Sequence, residues 1–395
     1  MRHVYLHVPF CRRRCSYCDF SIAVRRNVPG AAYVEAVERE HALVVAAGEW
    51  DEEPLETLYF GGGTPSLLPS EAVAELVEYF LRAAQSVHAR RPASPGGAVR
   101  GGASSSVGPA SGGRGVEITL EANPDDVTPA AAAAWCAAGI NRVSLGVQSF
   151  RDDVLAWMHR THDAARAEGA VDTLRAAGFE NLSLDLIFAL PDALRSDVAL
   201  DLARAVALAP AHLSVYGLSV EPRTPLARWV SRGALVPSHE RRYAAEFLRT
   251  HDVLSAAGFE HYEVSNYARP GRRSRHNVAY WTGRPYAGLG PSAHSFVGGV
   301  RRWNLAPWAA YERALRAGQR PEAERERLTS EQRRIESLYL GLRTTVGASW
   351  EHGAKRQAVV EQALRQGWLV ADGDHLRATP GGWLRLDEIV ARLTT

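Results

Sequence analysis

Short apolar runs at 4–8, 57–60, 116–121, 142–148, 181–190 and 212–220 punctuate the first half of the chain. Each reads as a buried strand. Between them, apolar residues return every three or four positions over 31–47, 70–84, 129–138, 163–177 and 193–208, the period of an amphipathic helix. Strand and helix in strict alternation predict βαβ units around a parallel sheet. The pattern fits an α/β fold with six such units, a partial (β/α)6 barrel of TIM type. A complete eight-stranded barrel is the alternative.

One stretch breaks the alternation. Residues 93–115 are mostly Gly, Ala, Ser and Pro without periodicity, and predict a disordered loop between the second helix and the third strand. Beyond 220, strand-like pieces occur within 258–268 and 288–304. From about 306 the chain turns to amphipathic, charged helices at 328–342, 355–366 and 380–393, with a hairpin over 369–377. The division expected is a barrel over 1–220 with the insertion 93–115, a post-barrel region over 221–305, and a helical, winged-helix-like C-terminal domain over 306–395.

Composition narrows the function. Hydrophobic residues make up 46% and charged residues 23%, the profile of a soluble globular protein. The net charge is +2, from 46 basic and 44 acidic residues, which gives no support for nucleic acid or a membrane surface as partner. No apolar run reaches ~18 residues, so no integral membrane segment is expected. Three of the four cysteines fall in one cluster, which is no disulfide framework and suits a cytoplasmic protein. Cys136 lies in an alanine-rich helical stretch and is expected as a small core residue.

The cluster is Cys11-Arg12-Arg13-Arg14-Cys15-Ser16-Tyr17-Cys18, spaced C-x3-C-x2-C directly after the first strand. Three thiols on so tight a loop can turn onto one object. A closed structural zinc site takes four protein ligands, whereas a cubane held by three keeps one iron open for an exchangeable ligand. A zinc knuckle and plain core packing remain the alternatives. The neighbouring arginines are expected to favour thiolates.

Downstream, Gly61-Gly62-Gly63-Thr64-Pro65-Ser66 follows the second strand, where glycines let backbone approach a ligand closely. An ordinary βα loop would look the same. Glu121 and Gln148 close the next two strands, Arg160 follows a helical turn, and Asp185 interrupts an otherwise apolar strand. A carboxylate on a barrel strand is costly without a partner or a polar ligand. Singly each could be a cap or an ion pair; together they point into one barrel mouth.

With these motifs in this order, the chain from Tyr5 to Ala268 resembles the radical S-adenosylmethionine (radical SAM) enzymes. It is most similar to the oxygen-independent coproporphyrinogen III oxidase family and, within it, to the HemW branch of haem chaperones. The resemblance implies an open six-stranded radical SAM barrel with a [4Fe–4S] cluster on Cys11, Cys15 and Cys18. It implies S-adenosylmethionine at the open iron, contacted by Tyr5, Tyr17, Gly62, Gly63, Thr64, Glu121, Gln148, Arg160 and Asp185. One electron from the cluster would then release methionine and a 5′-deoxyadenosyl radical, chemistry the cofactors supply.

Two features separate the branches. The oxidases carry a further cysteine two residues after the third thiol, where this chain has Phe20, so coproporphyrinogen oxidation is not expected. His276-Asn277-Val278-Ala279-Tyr280-Trp281 matches the H-N-x-x-Y-W associated with haem in the chaperones. The resemblance implies His276 as iron ligand, Asn277 orienting its ring, and Tyr280 and Trp281 against the macrocycle. Taken alone, an aromatic-flanked histidine is usually ordinary packing. His294 is a second ligand candidate. The expected function is delivery of haem to acceptor proteins, respiratory enzymes among them. The rivals are a coproporphyrinogen III oxidase, which decarboxylates two propionates, and a DNA-binding regulator using the C-terminal module, which the charge balance does not favour.

Overall fold

The computed structural model describes residues 1–50, 53–90, 115–194, 196–350 and 353–394. Strand β1 (His3–Val8) leads into a short parallel pair, β2 (Phe10–Cys11) and β3 (Ala23–Val24), which closes the cysteine loop at its base. Five more long strands follow: β4 (Thr57–Gly62), β5 (Glu117–Ala122), β6 (Arg142–Gln148), β7 (Leu182–Phe188) and β8 (His212–Gly217). With β1 they form six parallel strands paired in chain order. The connecting helices are α1 (Gly30–Ala46), α2 (Ser70–Arg90), α3 (Pro129–Ala137), α4 (Asp152–Trp157), α5 (Ala164–Ala176) and α6 (Val198–Ala207).

Helix ends follow local chemistry. Thr128 and Asp163 accept backbone N–H groups at the starts of α3 and α5. Asp197 caps α6, so that helix begins at Val198, and Asp192–Leu194 forms a separate 3-10 turn where one helix from 193 was expected. At the end of α3, Gly139 takes φ +95° and the Ile140 N–H reaches the Trp135 carbonyl, a Schellman turn into β6.

The sheet does not stop at six strands. β9 (Glu260–Glu263) and β10 (Asn266–Ala268) add beside β8, and β11 (Ala287–Leu289) adds parallel to β1, giving the order β11-β1-β4-β5-β6-β7-β8-β10-β9. Both edges of the six-stranded unit are thereby paired.

Strand alternation sorts the residues into two faces. Val4, Leu6, Leu58, Phe60, Leu120, Val143, Leu145, Leu184 and Leu213 are fully buried and belong to the main apolar core. The other face is polar. In register across it lie His3, Thr57 and Glu117; then Tyr5, Tyr59, Thr119 and Arg142; then Glu121, Ser144, Ser183 and His212. The interior of this barrel is therefore built to hold hydrogen-bonding groups.

Beyond the barrel, His294–Val297, Val300–Asn304 and Glu322–Arg327 make an antiparallel sheet. Helices Ser330–Leu342 and Ala354–Arg365, a hairpin of Leu369–Asp372 with His375–Ala378, and helices Pro380–Trp383 and Leu386–Thr394 complete the chain. The single helix expected over 380–393 is broken after Trp383. There Gly382 presses on the Trp368 carbonyl and the Trp383 indole donates to the Leu342 carbonyl at 2.9 Å. Of the loop expected over 93–115, all but Gly115 lies outside the described residues. Among the described residues no helix is long and apolar enough to cross a membrane.

Candidate functional site

The cysteine loop is held from several sides. Ala23 N–H donates to the Pro9 carbonyl at 2.7 Å and Arg25 N–H to that of Cys11 at 2.9 Å. Ser16 donates its N–H to the Met158 carbonyl and accepts from Leu226 N–H, which ties the loop to the end of α4 and to helix Pro225–Ser231. So fixed, Cys11, Cys15 and Cys18 all line one cavity of about 500 Å³ at the carboxyl ends of the strands. Cys136 is on helix α3, as expected, but on its exposed side and not in the core.

The glycine turn after β4 packs on this loop. A side chain at Gly63 would stand 2.8 Å from the Pro9 carbonyl, and Gly62 has φ +112° with the His7 ring in the place of a Cβ. Thr64 Oγ1 lies 3.3 Å from Cys11 Sγ. Burial raises the Cys11 thiol and pushes Cys18 up to about 11. Of the loop arginines expected to favour thiolates, Arg14 does act to lower the Cys11 thiol, but burial outweighs it. Arg12 turns away to Asp126 at 2.9 Å and the Arg14 guanidinium donates to the Cys18 carbonyl. Arg160, from the turn after α4, is the cation that reaches a thiol, 3.6 Å from Cys15 Sγ.

Tyr17, Glu121, Gln148, Arg160 and Asp185 line the same cavity. Glu121 accepts from the Tyr59 hydroxyl at 2.8 Å and from Gly62 N–H at 3.1 Å, so it also holds the glycine turn. Burial, then opposed by the Tyr59 hydrogen bond, pushes its pKa up to about 7. Asp185 accepts from Ser144 Oγ at 3.0 and 3.2 Å, and burial raises it as well. Hydroxyls and one backbone N–H, rather than cations, are the hydrogen-bond partners of both carboxylates among the described residues. Gln148 reaches the cavity through a φ of +69° at a register shift between β6 and β7. Arg160 Nη2 donates to Asn123 Oδ1 at 2.5 Å and to the Gly146 carbonyl at 2.9 Å.

Sequence reasoning missed Asn123, Ser144 and Tyr216, which also line the cavity. Ser144 and Tyr216 carried a signal. Ser144 is opposite Glu121 in the β5–β6 register, and Tyr216 stands two residues beyond Ser214, the partner of Asp185. Asn123 follows the strand and had none.

The remaining expected residues are elsewhere. Tyr5 sits below the cavity with its hydroxyl 3.2 Å from His7 Nδ1 and its ring on Tyr59. His276 lies on helix Arg275–Trp281, which packs across the amino ends of the strands, opposite the cysteines. The residue is 1% exposed. Nδ1 is 2.7 Å from Thr57 Oγ1, Nε2 is 2.9 Å from the Tyr280 hydroxyl, and the ring stacks on Tyr59 at 4.9 Å. Both ring nitrogens are occupied, so the reading of His276 as an open iron ligand beside the cluster does not fit this arrangement. Nor does Asn277 orient the ring, since Thr57 and Tyr280 do. Trp281 lies under the Arg343 guanidinium at 4.4 Å instead of facing an open surface. His294 is exposed and stacks on Trp303 at 5.5 Å.

The cavity thus offers three soft donors, a backbone turn pressed close to them, and two carboxylates without cationic hydrogen-bond partners. That donor set suits a thiolate-held metal cluster next to a ligand carrying positive charge and hydroxyls.

Comparison with known proteins agrees. The family model described as the radical SAM superfamily matches residues 5–205. A Synechocystis protein named heme chaperone HemW is 38% identical over 359 residues, covering 88% of this chain and 79% of that one. A Mycobacterium tuberculosis protein of the same name is 35% identical over 398 residues, covering 99% and 94%. Among solved structures, the coproporphyrinogen III oxidase HemN from Escherichia coli, a radical SAM enzyme, superposes with a TM-score of 0.77. It covers 100% of this chain and 90% of its own at 21% identity, a likeness of fold. The chain belongs to the radical SAM superfamily, whose cofactors are a [4Fe–4S] cluster and S-adenosylmethionine, and within it to the HemW family.

Proposed function

We propose that this protein is a haem chaperone that holds a [4Fe–4S] cluster and S-adenosylmethionine in the barrel mouth, binds haem, and passes it to acceptor proteins. The observation that carries the reading is the likeness to proteins named heme chaperone HemW along nearly the whole chain. The gathering of all three cluster cysteines into one cavity supports it. So does Phe20. It lines the rim of that cavity with 58% of its surface exposed, where an oxidase of the resembled branch would need a cysteine.

In this reading Cys11, Cys15 and Cys18 ligate the cluster, which when bound supplies the electron for reductive cleavage of S-adenosylmethionine. Gly62 and Gly63 let the turn press against the His7 ring and the Pro9 carbonyl beside the cysteine loop, and Glu121 fixes that turn through the Gly62 N–H. Arg160 bridges the cysteine loop and the β6 end, holding the cavity's width. Asp185, oriented by Ser144, accepts hydroxyl or ammonium donors from the ligand.

The test is anaerobic reconstitution, followed by haem titration and by incubation with coproporphyrinogen III, S-adenosylmethionine and reductant. Haem binding without formation of protoporphyrinogen IX is expected. Robust conversion would make the protein an oxidase despite Phe20.

A further inference from the structure

A second cavity, of about 760 Å³, opens at the other end of the barrel, between the amino ends of the strands and helix Arg275–Trp281. Arg272, Arg273, Arg275 and Arg284 line it. Arg273 is paired with Glu260, also in the wall, at 3.0 Å, while the ion pairs of the other three run from 3.4 to 3.9 Å. One carboxylate, Glu56, is shared among Arg2 at 2.9 Å, Arg284 at 3.5 Å and Arg275 at 3.9 Å. Glu117, also in the wall, is taken up by the N–H groups of Arg275 and His276. Among the described residues, Arg272 has only Glu180, a surface residue 3.4 Å away, as an ion-pair partner.

An independent observation points to a ligand. His3 lines the same cavity and is 2% exposed; its Nδ1 meets Thr57 Oγ1 at 3.0 Å, but its Nε2 has no partner among the described residues. A buried imidazole nitrogen without a partner is costly. A carboxylate entering the cavity would give it an acceptor and would meet guanidinium forks at the same time. Val278 and Ala279 give part of the wall an apolar surface. Guanidiniums beside a small apolar wall suit an amphiphilic dicarboxylate.

We propose that this floor cavity binds the propionate carboxylates of haem, so that haem docks at the end of the barrel opposite the cluster. The proposal rests on the haem-chaperone reading and gives that reading a place. His276 is then the plug between haem and the barrel interior, and the cluster and haem lie at opposite ends of that packed polar interior.

The experiment compares haem with its dimethyl ester, which lacks both carboxylates, on the full-length wild type and on an Arg272→Gln/Arg284→Gln variant. Both arginines are half-exposed, with long ion pairs, and their loss should leave the fold and cluster iron unchanged. The variant is expected to bind haem at least tenfold more weakly, while the ester binds wild type and variant alike and weakly. Equal haem affinity in wild type and variant, or ester binding as tight as haem binding, would overturn the cavity assignment and leave the chaperone reading standing. Displacement of haem by millimolar inorganic phosphate, with no preference for haem over the ester, would reassign the cavity to a free oxyanion. A wild type that binds no haem at all would overturn the chaperone reading itself.

Discussion

Replacing His276 with alanine separates a structural plug from an iron ligand. The substitution removes two buried hydrogen bonds, to Thr57 and to Tyr280, each contributing on the order of 1 kcal/mol. Thr57 keeps His3 as a partner, but the Tyr280 hydroxyl is left in a buried site at a cost of about 1–3 kcal/mol. Loss of the ring from its stack on Tyr59 adds a cavity, and large-to-small changes at such sites usually cost several kcal/mol in total. A destabilisation of about 3–5 kcal/mol is expected, a large share of the ~5–15 kcal/mol that holds a typical domain folded. Urea denaturation of the cluster-free protein followed by circular dichroism reads this directly. A parallel haem titration should show the still-folded fraction of His276→Ala binding haem with wild-type affinity. His276→Gln, which can keep one of the two hydrogen bonds, should fall between. Wild-type stability together with lost haem absorbance would refute the reasoning and return His276 to the role of iron ligand.

Three further outcomes follow from the same geometry. Alanine at Cys11, Cys15 or Cys18 should abolish most iron and sulfide after anaerobic reconstitution, while Cys136→Ala keeps both; near-normal iron in Cys15→Ala would contradict the site. Asp185→Ala should weaken S-adenosylmethionine binding by ~1.5–3 kcal/mol, the range for a charge-assisted hydrogen bond, measured by calorimetry on the reconstituted protein. Unaltered affinity would limit Asp185 to its contact with Ser144. The third concerns Glu40, a buried carboxylate that accepts from Gly290 N–H, the Asn304 amide and the Tyr311 hydroxyl. Burial pushes its pKa from 4.5 up to about 7. The folded protein therefore holds this proton more tightly than the unfolded chain, and its contribution to stability is lost as pH rises from about 4.5 to 7, by about 3 kcal/mol. Glu40→Gln should flatten that part of the stability–pH curve, and an unchanged slope would show that Glu40 ionises normally.

The strands of the barrel were legible because each is apolar on its outer face over a whole turn-to-turn run, and β6 falls on 142–148 as expected. The cysteine loop and the glycine turn were legible because their spacing is local. What the sequence could not carry was which end of the barrel a later segment would reach. His276 and the thiols are more than 250 residues apart, and nothing local says that helix Arg275–Trp281 packs under Thr57 and Glu117. The motif was visible and its address was not. The same holds for the loop arginines. Their charge is plain in the sequence, but whether it reaches a thiol depends on Asp126 drawing Arg12 away. Ser144 and Tyr216 could have been found from strand alternation once Glu121 and Asp185 were assigned to the inner face.

The most direct test of the account is transfer itself. The reconstituted, haem-loaded protein would be mixed with a haem-free acceptor, apomyoglobin as the general probe and a respiratory apo-protein as the specific one, and the acceptor re-isolated and its haem measured. Faster and more complete loading of the respiratory acceptor than free haem gives, dependent on Cys11, Cys15 and Cys18, is the predicted result. Loading no faster than from free haem, or haem retained without transfer to either acceptor, would contradict the chaperone reading.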